Sequence, residues 1–270
     1  MTKVRPLSEL VDLQRYPLHD DVAMRAVIEE CRTQLEQSSL ACLPGFLTAE
    51  VAQAMTREVL DAIPRAYRRE QSFSAYSEAD LASYPPDHVR WRRHLNRQFV
   101  VATDILDRGG LLRSLYQDDT LKRRIAAMLN EPELYQLEDP VIGCTATAMF
   151  EGDTHGWHFD LNDFVVSILL QAPEAGGTFD FAPEIRDDGA ENYAAVEAVL
   201  DGRSAALRSV KVEPGTLLLF CGRRALHRVP PVIGNKARVI ALLSYDRKPG
   251  VRYNPDIYQR AVGRRTVFET

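Results

Sequence analysis

The sequence predicts an α+β fold in which a helical N-terminal part, residues 1–134, buttresses a C-terminal double-stranded β-helix, or jelly roll, over residues 135–270. Three observations lead there. Apolar residues recur at helical spacing through much of the first half. From Tyr135 onward the pattern changes to eight short runs of strand formers, most of them separated by Pro, Gly, Asn or Asp, which is the strand number of a jelly roll. No Gly/Pro-rich linker divides the halves, so one shared core and one integrated domain are expected.

The elements follow in order. Behind the acidic start Asp20-Asp21, Val22, Met24, Ala26, Val27, Ile28, Cys31 and Leu35 predict a first helix over Asp20–Leu35. Ser39–Phe46, with Pro44-Gly45, reads as a short strand and turn. Thr48 then caps a helix running to Ile63, with Glu50 in its first turn and Pro64 closing it. The stretch Arg68–Arg97 is polar, aromatic and broken by Tyr84-Pro85-Pro86, and reads as a long loop region. Helical spacing returns at Leu111–Tyr116 and Asp119–Leu129. The strand runs are Tyr135–Leu137, Cys144–Phe150, His158–Asp160, Phe164–Gln171, Thr178–Phe181, Val210–Val212, Thr216–Cys221 and Arg238–Tyr245. Between them, Asn192–Leu200 places Tyr193, Val196, Val199 and Leu200 on one helical face and reads as an inserted helix.

Composition narrows the function. Of 270 residues, 45% are hydrophobic and 26% charged, the balance of a chain that buries a real core. The formal net charge of −5 argues against a nucleic-acid surface, since phosphate binding needs clustered Lys and Arg. The most basic run, Arg90-Trp91-Arg92-Arg93-His94, is short and is followed by Asp104 and Asp107. Neither a signal-peptide core nor an apolar membrane span is present, so a cytoplasmic protein without membrane or nucleic-acid partners is expected. Cys31, Cys42, Cys144 and Cys221 lie far apart with no Cys-x-x-Cys pair, which suits reduced thiols, at least two of them core residues. The sequence leaves the oligomeric state open.

The densest unusual segment is Gly152-Asp153-Thr154-His155-Gly156-Trp157-His158-Phe159-Asp160. Strand alternation puts His158 and Asp160 on one face and Phe159 on the other. An imidazole beside a carboxylate is half of a divalent metal site, and the one histidine in the later strand region, His227, is the candidate for the rest. Two histidines and one carboxylate on one face of a metal leave three positions open, the arrangement of non-haem Fe(II) oxygenases. Eleven positions after His227, Arg238 opens the apolar strand Arg238–Tyr245. A guanidinium there needs a carboxylate partner, and a dicarboxylate chelating the metal at one end would supply it.

These segments resemble the 2-oxoglutarate/Fe(II) dioxygenase superfamily, with its His-x-Asp, distal His and an Arg about ten residues later. The resemblance covers roughly the C-terminal half. His155–Asp160, followed by Asn162-Asp163-Phe164-Val165-Val166-Ser167 and Ala175-Gly176-Gly177-Thr178-Phe179, is more narrowly similar to the branch of free-amino-acid halogenases and their hydroxylase relatives. The resemblance implies Fe(II) as cofactor, 2-oxoglutarate and O2 as co-substrates, and a small amino acid or derivative as substrate. Halogenases of that branch carry Gly where this chain has Asp160, which opens a position for chloride. Asp160 therefore implies hydroxylation, desaturation or cyclisation after C–H abstraction, and no halogenation.

Other residues near the motif carry weaker expectations. A bend at Gly156 could redirect His155 into the substrate pocket, against plain alternation. Trp157 suits packing more than substrate stacking. Asn162 and Ser244 stand near the expected site, and Arg93 and Arg97 could reach it from a lid in the long loop region. Gly176-Gly177 reads as a turn that lets backbones approach closely. Two other functions fit the same pattern less well: a hydroxylase of protein or peptide side chains docking on Arg68–Arg97, and a cupin-type metal enzyme, which would use more histidines than this chain brings together.

Overall fold

A computed structural model describes residues 5–76, 81–187 and 189–267 of the chain. The N-terminal residues 1–4, and residues 77–80 of the expected loop region, lie outside the described residues. Helices are α1 (Met24–Ser38), α2 (Ala49–Ala62), α3 (Leu111–Tyr116), α4 (Asp119–Met128), α5 (Tyr193–Leu200) and α6 (Pro255–Val262). Strands are β1 (Leu40–Leu43), β2 (Tyr67–Ser74), β3 (Arg93–Val101), β4 (Tyr135–Gln136), β5 (Cys144–Met149), β6 (Thr154–His158), β7 (Val165–Gln171) and β8 (Ala175–Gly176). They continue with β9 (Phe179–Ala182), β10 (Arg208–Val210), β11 (Leu217–Phe220), β12 (Leu226–Val229), β13 (Val232–Ile233), β14 (Arg238–Leu243) and β15 (Tyr245–Asp246).

One antiparallel sheet curls through the order β1-β11-β7-β14-β5-β3-β6-β12-β9-β10, with β2 paired to β3. Its corner is β3. The C-terminal end of β3 pairs with β5 through Phe99–Val101, and its middle pairs with β6 through Asn96 and Arg97. One strand thus joins the two walls of the double-stranded β-helix. Short pairs β8–β13 and β4–β15 sit beside it.

Side-chain alternation divides the first wall cleanly. Val166, Ile168 and Leu170 of β7, Val239, Ala241 and Leu243 of β14, and Ala146 and Ala148 of β5 join the large core shared with the helices. Their neighbours Val165, Ser167, Ile240, Leu242, Thr145 and Thr147 face the barrel interior. Both faces are covered, so the strands read as nearly continuous apolar runs. Against the outer face, α2 lays Ala52, Met55, Val59 and Ala62 at helical spacing. Its start is the expected one: Thr48 accepts a hydrogen bond from the Val51 N–H, and Glu50 stands in the first turn.

The loop expected over Arg68–Arg97 is a correction. Tyr67–Ser74 and Arg93–Val101 pair in unbroken antiparallel register, from Tyr67 opposite Val100 to Ser74 opposite Arg93. Polar residues occupy both faces of β2, outward as Arg68 and Glu70 and inward as Arg69, so no apolar alternation announced a strand. The N-terminal part is accordingly helical with three strands of its own in the sheet. Between β2 and β3, Arg90 stacks 4.4 Å from the Tyr76 ring centroid and hydrogen-bonds Tyr193 of α5 at 2.9 Å. Arg92 pairs with Glu197 and Asp201 at 2.6 Å each, tying this segment to the inserted helix. Cys31 and Cys144 are buried, with thiols pushed up to about 12 by desolvation, as core residues should be. No described helix is long and apolar enough to cross a membrane.

Candidate active site

The site is built on an irregularity of β6. His227 of β12 stands opposite His158, and Val229 stands opposite His155, so two steps on β12 face three on β6. This bulge across Gly156-Trp157 cancels the alternation that would send residues i and i+3 to opposite faces. His155 therefore joins His158 on the inner face, their rings stacked with centroids 3.8 Å apart and planes 14° from parallel. Glycine is required at the bulge because β3 passes over it: a Cβ on Gly156 would lie 2.6 Å from the His94 Cβ and 2.8 Å from the Leu95 carbonyl oxygen.

His158 and His227, directly opposed, share a face with ring centroids 4.0 Å apart. The Nδ1 of His158 lies 2.8 Å from the Gly156 carbonyl, and that of His227 3.0 Å from the Ala225 carbonyl. A carbonyl only accepts, so each Nδ1 carries the proton and each Nε2 turns a lone pair inward. Asp160 follows the end of β6. Its N–H donates to Gly222 O at 3.1 Å, and the Phe159 N–H donates to Ala75 O at 3.0 Å. Phe159 joins the apolar cluster of Trp157, Tyr76 and Leu226, while the carboxylate turns back to the imidazoles. Its Oδ1 is 3.7 Å from His158 Nε2 and its Oδ2 3.5 Å from His227 Nε2.

The three ligand atoms all lie within 4.8 Å of one another. Donors about 2.0–2.2 Å from one ion stand up to roughly 4 Å apart, so the spacing between the carboxylate and each imidazole fits a shared metal. The charge state fits as well. Burial pushes His158 down to about 3 and His227 down to about 4, which keeps both in the neutral form a metal requires. Burial also pushes Asp160 upward, a penalty on its charged form that a bound divalent cation would offset. The donor set, two imidazoles and one carboxylate, suits Fe(II).

The triad opens on a cavity of about 290 Å³ inside the barrel. Its wall is mainly aliphatic and aromatic, with Phe179, Leu218, Phe220 and Ile240 among the lining residues. Arg238, the first residue of β14, is only 4% exposed. Its Nε donates to Gly177 O at 3.0 Å, and no carboxylate among the described residues pairs with it. Desolvation pulls its pKa down to about 10, the mark of a cation buried without its counter-ion. Gly177, at φ +57°, permits this approach, since a Cβ there would sit 3.1 Å from the Arg238 Cδ.

Sequence reasoning missed a second guanidinium in the cavity. Arg69 of β2 lies opposite Gln98 of β3, and both line the cavity with His155. Arg69 Nη2 donates to the Ala261 carbonyl, while the buried Nε has no acceptor among the described residues. Burial lowers the pKa of both Arg69 and His155, so the histidine beside the triad is neutral.

The remaining expected residues lie outside the cavity lining. Trp157 packs in the apolar cluster under Arg228, whose guanidinium sits 4.6 Å from its ring centroid. Asn162 is exposed and meets the Tyr253 hydroxyl. Ser244 donates to the Ile142 carbonyl at 3.1 Å. Arg93 is exposed at the start of β3, and Arg97 turns to the outer face, where it and Arg68 bind the buried Asp153.

Comparison with known proteins agrees with this geometry. The family model described as Halogenase D matches residues 23–255. No curated protein matches. Among solved structures, AviO1 from Streptomyces viridochromogenes Tue57 superposes with a TM-score of 0.55 at 17% identity, covering 83% of this chain and 94% of its own. A 2OG-Fe(II) oxygenase-family oxidoreductase from Burkholderia pseudomallei gives 0.52 at 17% identity, covering 83% and 92%. HygX from Streptomyces hygroscopicus, solved with nickel and 2-oxoglutarate bound, gives 0.50 at 15% identity, covering 80% and 85%. The expected double-stranded β-helix is thus the fold shared with these structures, and the chain belongs to the Halogenase D family.

Proposed function

We propose that this chain is an Fe(II)- and 2-oxoglutarate-dependent oxygenase that acts on a small free amino acid or amino-acid derivative. The outcome, after C–H abstraction, is hydroxylation, or desaturation or cyclisation, without halogenation. The observation that carries the reading is the Asp160 carboxylate facing both imidazole Nε2 atoms beside a cavity that holds a buried Arg238 with no carboxylate partner among the described residues.

Held by His158, Asp160 and His227, Fe(II) would couple oxidative decarboxylation of 2-oxoglutarate by O2 to removal of hydrogen from the substrate. The chain's own residues position and protect that chemistry. Arg238 presents its remaining guanidinium N–H groups to the distal carboxylate of 2-oxoglutarate, a planar match that holds that end of the dicarboxylate. The hydrophobic lining excludes water from the reacting centre. At the β2–β3 side, Arg69 has a donor without an acceptor among the described residues and His155 is a neutral imidazole, which suits the carboxylate of an amino acid. A cavity of about 290 Å³ must hold both co-substrate and substrate, which favours a small molecule over a peptide.

Chlorination is the second reading, favoured by the family's name. Against it stands Asp160: a ligating carboxylate and a chloride compete for the same position on the metal. The test is 2-oxoglutarate turnover with Fe(II) across a panel of free amino acids and short peptides, reading succinate and product mass. Succinate coupled to oxidation of one or a few free amino acids supports the reading. Turnover confined to peptides would overturn the substrate class.

A further inference from the structure

The third ligand depends on a missing side chain sixty-two positions away in sequence. Gly222 is buried in the turn after β11, and a Cβ built on it would lie 1.7 Å from Asp160 Oδ2 and 2.6 Å from Asp160 Cγ. That oxygen is the one 3.5 Å from His227 Nε2. The two residues are also joined through the backbone, the Asp160 N–H donating to the Gly222 carbonyl at 3.1 Å. Gly222 does not have a left-handed backbone. Glycine is therefore not demanded there by conformation, and the space next to its Cα is occupied by the carboxylate.

From this we infer that Gly222 is a positioning residue for the Asp160 ligand: its bare Cα forms the pocket wall that lets the carboxylate point at the metal. The inference rests on the reading of Asp160 as a ligand. A methyl group at 222 meets Asp160 Oδ2 and Cγ, which turn about the Cα–Cβ bond, and Asp160 Cβ at 3.1 Å, which must give by a few tenths of an ångström; relief comes chiefly by turning the carboxylate out of the triad. A Gly222→Ala substitution would thus empty the carboxylate position while Asp160 itself is intact.

The test is a double-mutant cycle read by metal binding instead of turnover. Wild type, Gly222→Ala, Asp160→Gly and the double variant are titrated anaerobically with Co(II) alone, following affinity and the visible spectrum. Gly222→Ala is expected to weaken binding by about 10–100-fold, the usual cost of disturbing what orients a ligand, and to shift the spectrum toward that of Asp160→Gly. In the Asp160→Gly background the same methyl group meets no carboxylate, so the double variant should bind like Asp160→Gly. Wild-type affinity in Gly222→Ala overturns the inference, as does an equal loss in both backgrounds. If Gly222→Ala fails to fold, the double variant should fold, and its failure too would overturn the inference. The reading beneath it is tested separately: Asp160→Gly binding Co(II) as wild type does would remove Asp160 from the ligand set.

Discussion

Arg238→Met tests the co-substrate end of the cavity. The side chain is 4% exposed, its Nε is committed to Gly177, and its remaining N–H groups have no carboxylate among the described residues. Methionine keeps much of the volume and removes the charge. Breaking a buried, hydrogen-bonded charge pair costs about 3–5 kcal/mol, which at about 1.4 kcal/mol per tenfold is a loss of roughly one hundred to a few thousandfold in 2-oxoglutarate affinity. Isothermal titration of 2-oxoglutarate into the Ni(II)-loaded protein measures it directly. A thermal scan supplies the second readout. Ligand at a hundred times Kd stabilises wild type by about 2.7 kcal/mol, and the variant at that concentration should gain almost nothing. Without ligand, the variant should melt no lower than wild type, because a buried cation lacking its counter-ion has been removed. Affinity within threefold of wild type would refute the reasoning and move the clamp to Arg69, the other guanidinium in the cavity.

Three further outcomes follow. His227→Ala should abolish 2-oxoglutarate turnover and metal binding, checked by anaerobic Fe(II) titration; full activity would dismantle the triad. Arg69→Met should raise KM for the amino-acid substrate at least tenfold, by loss of a charge-assisted pair worth about 1.5–3 kcal/mol, while leaving Ni(II) and 2-oxoglutarate affinities near wild type; an unchanged KM would place the substrate carboxylate elsewhere. The metal-free protein should lose stability as pH falls from about 6.5 toward 4. His94, His155, His158 and His227 all have lowered folded-state values, so the unfolded chain takes up protons first across that window. The raised carboxyls of Asp160 and Glu58 oppose this in smaller number. A melting temperature flat across that interval, measured without metal, would contradict the buried neutral histidines.

The candidate ligands were legible in the sequence because their signal is local. Two residues apart on an extended segment, His158 and Asp160 share a side, and the barrel strands left one later histidine to join them. Yet Asp160 lies beyond β6, and what aims it is the long-range contact with Gly222, which no local pattern displays. His155 needed the bulge, hinted at by Gly156, to reach the inner face. Nearness in sequence misplaced the other residues. Trp157 is next to a ligand and so on the opposite side; Arg97 stands between the inward residues Asn96 and Gln98 and turns out. Arg69 escaped notice because β2 is polar on both faces, so neither its strand nor its direction stood out. The strand carrying His227 was unmarked for a different reason: four residues between a turn and Pro230 are too few to show a period.

The central claim, a metal held by two histidines and Asp160 in an oxygenase that does not halogenate, is tested most directly by product mass under isotopically labelled dioxygen and excess chloride. Wild type, loaded with Fe(II) and 2-oxoglutarate and given the amino acid that best drives succinate formation, should yield a product carrying one labelled oxygen, or lacking two hydrogens, and no chlorine. Asp160→Gly should bind metal weakly and give at most traces of chlorinated product, since the surroundings must also hold the anion and steer the substrate radical. A chlorinated product from the wild-type enzyme would contradict the account, because Asp160 could not then be a ligand.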